Sequence, residues 1–478
     1  MPPIEPIHSR ALITTLVLAA FLLLPSMASV GMFMDGTIYA AISRNLAEGL
    51  GSPWALHFSD GLFPVFREHP PLVFWLQSLF FRALGDSYLT ERVYDLVVML
   101  TTAGLMIALW RRLVAACRLD SLIAYWWLPL LLWVVVPKWS WTYRNNMLES
   151  TLTVFCLAAV LLALAGLSSA DTRRLILRTG AAALAILLAF LTKGPVALFV
   201  LVAPLVLGPA VARVDWQKTA LVTATLVVGF AGLLALVLAW PDARDMLAAY
   251  WQKQVVGRSG VSLGDFGMLI ELVKKLAAMS AVLLALRVWT GRRQSGGWLK
   301  PVSGPLLAML ALGLAASLPL SLGDLDSAHY LVPALPFFAI GLGLAGASML
   351  DCAGERFRQA LSMRPGKAFM AVSVAVALAV AALSLSRVGE VRKNEEYHQF
   401  LAQIAATTGE ATTLAVDPAL YADWSLHAIA MRHYRIGLET SEVNAVWLLR
   451  PVDAEAPSGY LPTGIRNDAW RLWRRGVE

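Results

Sequence analysis

The sequence has few charged residues. Only 15% of its 478 residues are Asp, Glu, Lys or Arg, whereas 58% are hydrophobic and the mean hydropathy is +0.64. Charged residues usually make up about a quarter of a soluble domain, so this composition excludes a soluble protein. Several apolar stretches reach the length of about 20 residues that is needed to cross the hydrocarbon core of a bilayer. The sequence therefore predicts a multi-span membrane protein.

Cysteine is also scarce, and an internal repeat is lacking. The three cysteines, Cys117, Cys156 and Cys352, lie within or beside predicted spans and show no CxxC spacing, which argues against a disulfide framework. Without two related halves, the chain lacks a signature of many secondary transporters. The net charge of +7 comes from basic residues that are spread over short loops, so we expect no nucleic-acid partner.

Hydropathy predicts about eleven membrane spans. They lie at about 11–31, 93–116, 121–137, 147–168, 176–191, 195–212, 219–240, 268–289, 303–322, 330–350 and 368–387. The first of these is too long for the core of a signal peptide, which predicts a retained span. By the positive-inside rule, five basic loops are cytoplasmic. The N-terminus is then cytoplasmic, and the C-terminus lies outside, in the periplasm of a bacterial cell.

The predicted fold is an all-α polytopic membrane protein with a small C-terminal α/β extracytoplasmic domain. The membrane domain is expected at 1–387 and the C-terminal domain at 388–478. A long first outer loop, about 32–92, belongs to the membrane domain and contains an amphipathic pattern typical of an interfacial helix. The tail mixes helix-like stretches with strand-like ones such as TTLAVD and NAVWLLRP.

Asp35 follows the first span, in MFMDGTIYAAISRNLAEG. Aspartate is a favoured N-cap residue, so one explanation is that Asp35 begins the amphipathic helix. The other explanation is a carboxylate that is held at a membrane-facing cavity as a general base. The two roles are compatible, and the pattern leaves both open.

Three ionisable residues, Arg67, Glu68 and His69, precede two prolines in FREHPPLVFWLQ. Proline restricts both its own φ and the residue before it, so a helix can begin only at the prolines. The free N–H groups of that helix end suit an anion such as phosphate. Arg67 and His69 would add positive charge, and Glu68 could order them or bind a cation. The structural alternative is a surface turn that enters a helix.

A second acidic candidate is Glu149, about one turn into the apolar run of WSWTYRNNMLESTLTVF. A carboxylate at this depth is costly and needs either a partner or a function. A salt bridge to Arg144 is the structural alternative. Lys193, in AFLTKGPVALF, lies in the break between two apolar segments, where it could contact a phosphate or extend to the interface.

Three further candidates lie on the side of the membrane that the topology places outside, one in a loop and two at the outer end of the tenth predicted span. Arg258 is part of VVGRSG, and His329 and Tyr330 begin HYLVPALP. Snorkelling and aromatic-belt roles are the alternatives for the latter two. The full set on this side of the membrane is Asp35, Glu68, His69, Arg144, Glu149, Lys193, Arg258, His329 and Tyr330. Carboxylates and cations together suit group transfer with a phosphate leaving group, because a base deprotonates the acceptor while cations stabilise the departing charge.

At these residues the chain resembles the GT-C membrane glycosyltransferases of the ArnT and protein O-mannosyltransferase type. The acidic residue after the first span is matched by MDGTIYAAISRNL. The family patterns E-K-P-P-L-x-x-W and R-x-x-M-L-D are matched by EHPPLVFW and RNNMLE, and L-x-K-G-P and Y-x-x-P-x-x-P by LTKGP and YLVPALP. The five motifs occur in order over about 30–345.

The resemblance implies a GT-C fold and transfer of a sugar from a polyprenyl phosphate to a hydroxyl of a lipid, polysaccharide or protein. Asp35 would be the catalytic base and Glu149 a second acidic residue. His69 stands where the family has a lysine for the lipid phosphate. The other implied contacts to the phosphate are Lys193, Arg258, Tyr330 and Arg144. No cofactor is required, although Glu68, His69 and His329 could order the site or hold an optional divalent metal.

Two other functions are compatible with a membrane protein of this composition. A flippase or transporter for a polyprenyl-linked substrate would favour ionisable groups at mid-span, whereas the candidates here lie at one interface. A non-catalytic assembly protein would use the tail as a module that binds a partner. The motifs favour the inverting glycosyltransferase, since a single displacement needs only one base.

Overall fold

The structure, a computed structural model, describes most of the chain. The described residues are 9–257, 266–290, 297–322, 327–353, 359, 363, 365–409, 412–443, 445–455 and 457–476. Arg258 lies outside them. By contact density the chain divides into two compact units, and each is described by itself.

Helices account for most of the described chain. In chain order they are α1 (Ser9–Met27), α2 (Met34–Ala47), α3 (Leu72–Leu84), α4 (Tyr88–Ala116), α5 (Trp127–Val134), α6 (Pro137–Tyr143), α7 (Leu148–Leu167), α8 (Thr172–Lys193), α9 (Ala203–Leu207), α10 (Trp216–Leu238), α11 (Pro241–Tyr250), α12 (Gly267–Trp289), α13 (Ser303–Ser317), α14 (Leu335–Cys352), α15 (Lys367–Ser386), α16 (Glu395–Thr408), α17 (Pro418–Tyr421) and α18 (Trp424–Tyr434). Segments of 3-10 helix (Asp120–Trp126, Gly194–Val202, Lys300–Val302, Pro319–Leu322, Ala328–Ala334) and π-helix (Gly208–Ala212, Trp251–Val256) adjoin several of them.

Eight helical segments within the described ranges are long and apolar enough to span a membrane. They are Ser9–Met27, Tyr88–Ala116, Leu148–Leu167, Thr172–Ala212, Trp216–Leu238, Lys300–Ser321, Ala328–Cys352 and Lys367–Ser386. A ninth is possible if Asp120–Val134 and Pro137–Tyr143, which are bent by 81°, form one span. The polytopic helical fold is confirmed, whereas the number of eleven spans is not.

Besides this bent pair, which stands at the predicted span 121–137, two features account for the difference in span number. The two spans predicted around Gly194 fall within one helical segment of 41 residues. The segment changes from α-helix to 3-10 helix at Gly194, where φ is +70°. The predicted span at 268–289 is helical, but its first half carries Glu271, Lys274 and Lys275. The cost of burying several charges in hydrocarbon removes this helix from the spans that composition supports.

The first unit comprises 1–25, 95–143 and 148–383. Within it α7 packs closely along α8, and α13 packs along α14. Small residues permit the close approach: a Cβ added to Gly166 of α7 would lie 2.8 Å from Thr179 Oγ1 of α8. This packing holds the first residues of α7 beside the last residues of α8.

The second unit comprises 26–94, 144–147 and 384–478. Its sheet has the order β2-β1-β3-β5-β4, formed by β1 (Thr413–Val416), β2 (Gly437–Glu439), β3 (Trp447–Pro451), β4 (Tyr460–Arg466) and β5 (Trp470–Arg475). β1 is parallel to β2 and β3, whereas β5 is antiparallel to β3 and β4. Apolar residues of α16 and α18 pack against one face of the sheet. The predicted α/β tail is confirmed, and TTLAVD and NAVWLLRP contain β1 and β3.

Helix α2 is buried on all sides within the second unit. The predicted amphipathic pattern exists, but every residue from Gly36 to Leu46 is buried, including Ser43, Arg44 and Asn45 on the polar side. α3 and α18 both pack against this helix. The sequence pattern could not predict α18 as a cover, because α18 lies almost 400 residues further along the chain and the pattern of α2 is local.

Candidate functional site

The first unit contains a buried cluster of Glu149, Lys193, His329 and Tyr330. Lys193 Nζ forms an ion pair with Glu149 Oε1, and His329 Nε2 lies 3.6 Å from the same oxygen. The ammonium group also lies 4.3 Å from the centroid of the Tyr330 ring, in cation–π range. The exposed fractions are 1% for Glu149, 8% for Lys193 and 5% for His329. The structure thus brings together four of the predicted residues.

The end of α8 places Lys193 in this cluster. Lys193 is the last residue of α8, and Gly194 follows with a φ of +70°, which glycine adopts without strain. The Tyr250 hydroxyl donates to Lys193 O at 3.2 Å. A Cβ at Gly194 would lie 2.3 Å from that hydroxyl. The glycine of LTKGP is therefore required by the backbone and by the contact with Tyr250.

Aromatic rings fix the imidazole side of the cluster. The Trp141 ring stacks on His329 with the centroids 5.5 Å apart and the planes at 25°. Lys138 Nζ lies 4.0 Å from the centroid of the Trp141 ring. Trp141 and Tyr250 are parts of the site that sequence reasoning missed. Trp141 lies in WSWTYRNNMLESTLTVF and Tyr250 eight residues before Arg258, but only the ionisable residues of these stretches were selected as candidates.

The hydrogen bonding of this cluster is incomplete. Glu149 Oε2 is buried and has no hydrogen-bond partner among the described residues. A small cavity adjoins it, lined by Glu149, Leu152, Lys193, Val196, Phe199, Ala316, Leu320, Tyr330 and Pro333. Its volume of about 10 Å³ holds roughly one water molecule. A phosphate could enter only if the surrounding side chains move.

The second unit contains Asp35, near the start of α2. The N-cap of α2 is Phe33, so Asp35 is the second residue of the helix and not its cap. A carboxylate in the first turn is stabilised by the positive end of the helix dipole. Asp35 is partly exposed, whereas the next residues of the helix are buried. Its position keeps the general-base hypothesis open and removes the N-cap explanation.

His69 also lies in the second unit and contacts α2. Its Nε2 lies 3.0 Å from the Tyr39 hydroxyl, and the two rings meet edge to face. The following helix, α3, begins at Leu72 with Pro71 as its N-cap, as the two prolines predicted. Glu68 is half-buried beside His69. The contribution of these residues to phosphate or metal binding stays a prediction.

The segment 144–147 contacts the start of α2 through both asparagines of RNNMLE. The Phe33 N–H donates to Asn145 Oδ1 at 2.7 Å, and Asn146 Nδ2 donates to Gly36 O at 3.0 Å. The Gln77 side chain of α3 donates to Asn146 Oδ1 at 2.7 Å. The sequence singled out this motif for its charges and missed the part played by its amides.

Arg144 is half-buried in the same segment, and burial lowers the pKa of its guanidinium. Its Nη1 donates to Ser26 Oγ at 3.3 Å. The described ion-pair partners of Glu149 are Lys193 and His329, whereas the sequence had pointed to Arg144. A phosphate contact by Arg144 stays a prediction. Over the described part of the chain, no three His, Cys, Asp or Glu side chains are grouped so that they could hold a metal ion.

A second ionic cluster, which the sequence did not predict, joins the end of α18 to residues between Glu48 and Glu91 within the second unit. Arg432 donates to Asp86 Oδ1 at 2.7 Å and to both oxygens of Glu91, at 3.3 and 2.9 Å. Arg435 contacts both oxygens of Glu48 and also Asp86. Burial alone would raise the pKa of Asp86, but Arg432 and Arg44 outweigh it and hold that pKa below its ordinary value. We call these five residues and Arg44 the arginine cluster.

No family model and no curated protein matches the sequence. The fold, in contrast, is similar to solved structures. ArnT from Cupriavidus metallidurans, bound to undecaprenyl phosphate, superposes with a TM-score of 0.61 over 97% of both chains at 18% identity. The apo state of the same protein gives a TM-score of 0.60 over 96% of both chains at 17% identity.

A second group of similar structures comes from an archaeon. The oligosaccharyltransferase of Archaeoglobus fulgidus, in complex with zinc and sulfate, matches 92% of this chain and 68% of its own at a TM-score of 0.52 and 12% identity. The chain therefore has the GT-C fold of membrane glycosyltransferases, as the five motifs predicted.

Proposed function

We propose that this protein is an integral membrane glycosyltransferase that takes a sugar from a polyprenyl-phosphate donor, such as undecaprenyl phosphate, and transfers it to an acceptor hydroxyl with inversion. The observation that carries this proposal is the similarity in fold, over nearly the whole of both chains, to a protein bound to undecaprenyl phosphate. The proposed location is a bacterial inner membrane, with the N-terminus in the cytoplasm and transfer at the periplasmic face.

In the proposed reaction, Asp35 accepts the proton of the acceptor hydroxyl. The hydroxyl oxygen then forms a bond to the anomeric carbon of the sugar, from the side opposite the phosphate. The bond between that carbon and the phosphate oxygen breaks, and the polyprenyl phosphate leaves with the electron pair. One base is enough for this single displacement, and its contribution is typically about 10²- to 10⁴-fold in rate.

The ion pair in the first unit supports a role for Lys193 as the cation that meets the departing phosphate. Glu149 contacts Lys193 directly, so we assign Glu149 the task of holding the ammonium group rather than that of a proton acceptor. A phosphate at Lys193 would replace part of that contact, and His329 would stay near the carboxylate. Arg258 and Arg144 are further proposed contacts to the lipid phosphate, and a divalent metal at Glu68 and His69 is proposed as optional.

The proposal is tested with the purified protein in proteoliposomes that contain undecaprenyl-phosphate sugars and an envelope extract as the acceptor. Release of undecaprenyl phosphate, followed by mass spectrometry, is expected for the wild type. Asp35→Asn should slow it by at least about 10²-fold. The control is Asp60→Asn, because the Asp60 side chain is 89% exposed. Normal turnover by Asp35→Asn would exclude Asp35 as the base.

The same vesicles separate the enzyme from a flippase. A flippase moves the intact donor from one leaflet to the other, whereas a transferase consumes it. Movement of donor across the bilayer without any release of undecaprenyl phosphate would overturn the proposed transfer.

A further inference from the structure

We infer that Asn145 and Asn146 are positioning residues for Asp35. Their side-chain amides hold the backbone of α2 on both sides of Asp35, and in this way they set the direction of its carboxylate. The inference rests on the proposed function, because it takes Asp35 as the catalytic base. The two asparagines have no assigned contact with the substrate, so they would act only through Asp35.

The contacts enclose the first turn of α2. Asn145 Oδ1 accepts a hydrogen bond from the backbone N–H of Phe33, two residues before Asp35, with 2.7 Å between oxygen and nitrogen. Asn146 Nδ2 donates to the carbonyl of Gly36, one residue after Asp35, at 3.0 Å. The N-cap Phe33 has no side chain that can satisfy the free N–H groups of the helix end. The position of this helix end is therefore set from outside the helix.

Steric contact also fixes the position of the first turn of α2 against the segment 144–147. A Cβ on Gly36 would lie 1.8 Å from the backbone oxygen of Asn145, so the helix touches the segment at a point where only glycine fits. Asn146 has a φ of +52°, in the left-handed region that asparagine adopts more readily than most residues. The Asp-Gly and Asn-Asn pairs of the two motifs thus fit each other.

Gln77 extends the same network to α3. Its amide makes a reciprocal pair with that of Asn146: Gln77 Nε2 donates to Asn146 Oδ1 at 2.7 Å, and Asn146 Nδ2 lies 3.3 Å from Gln77 Oε1. The exposed fractions are 0% for Gln77, 1% for Asn146 and 8% for Asn145. A buried polar network whose members are paired is rigid, because any displacement leaves an amide unsatisfied. The network joins the turn that carries Asp35 to the helix that follows His69.

The direction of the hydrogen bonds gives an asymmetric test. Asn145 is used as an acceptor towards Phe33, so Asn145→Asp keeps the contact. Asn146 is used as a donor towards Gly36, so Asn146→Asp loses it and sets a carboxylate against a carbonyl oxygen. The two substitutions add the same charge at adjacent positions, and each is therefore the control for the other.

We expect Asn146→Asp to lower kcat by about 10- to 100-fold, because a shift of about 1 Å in a catalytic group has an effect of this size. The KM for the donor should stay within about twofold, since neither asparagine is itself a proposed contact to the donor. Asn145→Asp should keep kcat within about threefold of wild type. Its pH profile should move to higher pH, because a new carboxylate nearby raises the pKa of Asp35.

The measurement uses the full-length protein in proteoliposomes, with kcat, KM, the pH profile and the melting temperature recorded for each variant. Equal losses in the two variants, or a loss in Asn146→Asp that appears only in KM and melting temperature, would overturn the positioning role. If Asn146→Asp does not fold, Gln77→Glu replaces it, because glutamate cannot donate to Asn146 Oδ1. Its kcat is expected to fall about tenfold, and a wild-type kcat would overturn the inference.

The proposed function and this inference can fail separately. Full activity of Asp35→Asn would remove the base and, with it, the reason for positioning it. An inactive Asp35→Asn together with a wild-type kcat and pH profile for Asn146→Asp would leave the proposed function intact and remove only the role of the asparagines.

Discussion

The two units each contain a buried ionic cluster, but the two clusters differ in how completely their polar atoms are paired. In the arginine cluster, all three nitrogens of the Arg432 guanidinium donate, to Asp86, Glu91 and a backbone carbonyl. In the cluster of the first unit, Lys193 contacts one oxygen of Glu149, while the other oxygen is buried without a hydrogen-bond partner among the described residues, and Glu149 lines a small cavity.

This difference distinguishes a buried ionic cluster that stabilises the fold from one that we propose takes part in the reaction. A buried ion pair repays its desolvation only when the remaining polar atoms are also satisfied, and the arginine cluster meets that condition. An unsatisfied carboxylate oxygen costs stability, so a cluster that retains one requires another explanation. A ligand that completes the hydrogen bonding is the explanation that the proposed function supplies.

The largest effect is expected from Arg432→Met. The substitution leaves Glu91 and Asp86 without their main cation, and breaking a buried pair in this way costs about 3–5 kcal/mol. Unfolding of the detergent-solubilised protein, followed by the fluorescence of tryptophan, measures the loss. Arg450→Met is the control, because the Arg450–Glu442 pair is exposed and such pairs contribute about 1 kcal/mol or less. Similar losses in both variants would contradict the structural role of the arginine cluster.

The next effect concerns Lys193 and Glu149. Either Lys193→Met or Glu149→Gln leaves one buried partner uncompensated, and we expect each to destabilise the protein by about 3 kcal/mol. The double variant should recover much of that stability, because both charges are gone. Transfer should stay low in all three variants, since the phosphate loses its cation or the cation loses its orientation. Recovery of transfer in the double variant would show that this cluster only stabilises the fold, as the arginine cluster does.

A smaller effect is expected from Gly194→Ala. The new Cβ would meet the Tyr250 hydroxyl at 2.3 Å, and the backbone φ of +70° disfavours alanine. We expect a loss of about 1–3 kcal/mol and reduced transfer, because the strain acts on the residue next to Lys193. Gly180→Ala, within α8, is the control, because the new Cβ there meets no atom within 4 Å outside the helix's own backbone. Melting temperature and transfer are compared for both, and equal behaviour would exclude a special role for Gly194.

The smallest effect is a dependence on pH in the arginine cluster. The pKa of Asp86 is lower in the folded protein than its ordinary value of 3.8. The stability that this carboxylate contributes is therefore present above about pH 4 and is lost as the pH falls through the lowered pKa. Asp86→Asn should reduce the loss in the free energy of unfolding between pH 5 and pH 3, by about 1 kcal/mol or less for this partly exposed group. The melting temperature should then decrease less over the same pH range. An unchanged acid dependence would show that other carboxylates cause it.

The candidate residues were only partly predictable. Lys193 could be identified because Gly194, directly after it, ends an apolar run, and His329 and Tyr330 because they lie where an apolar run begins, a few residues before Pro333; both are local signals. The partner of Glu149 was not predictable in the same way, since Arg144 is near in sequence whereas Lys193 is 44 residues away. The strands β4 and β5 were not predicted either; in β4 the strand pattern is broken by Pro462 and Gly464.

Composition and hydropathy were sufficient to establish a polytopic membrane fold, because the requirement for about 20 apolar residues per span acts on contiguous sequence. Motif order was sufficient to predict the GT-C fold. The pairing of charges was decided only in three dimensions: Arg432 meets Glu91, which is 341 residues away, and Asn146 meets Gly36, which is 110 residues away. Such contacts depend on which helices pack together, and packing is a property of the whole chain that no local pattern encodes.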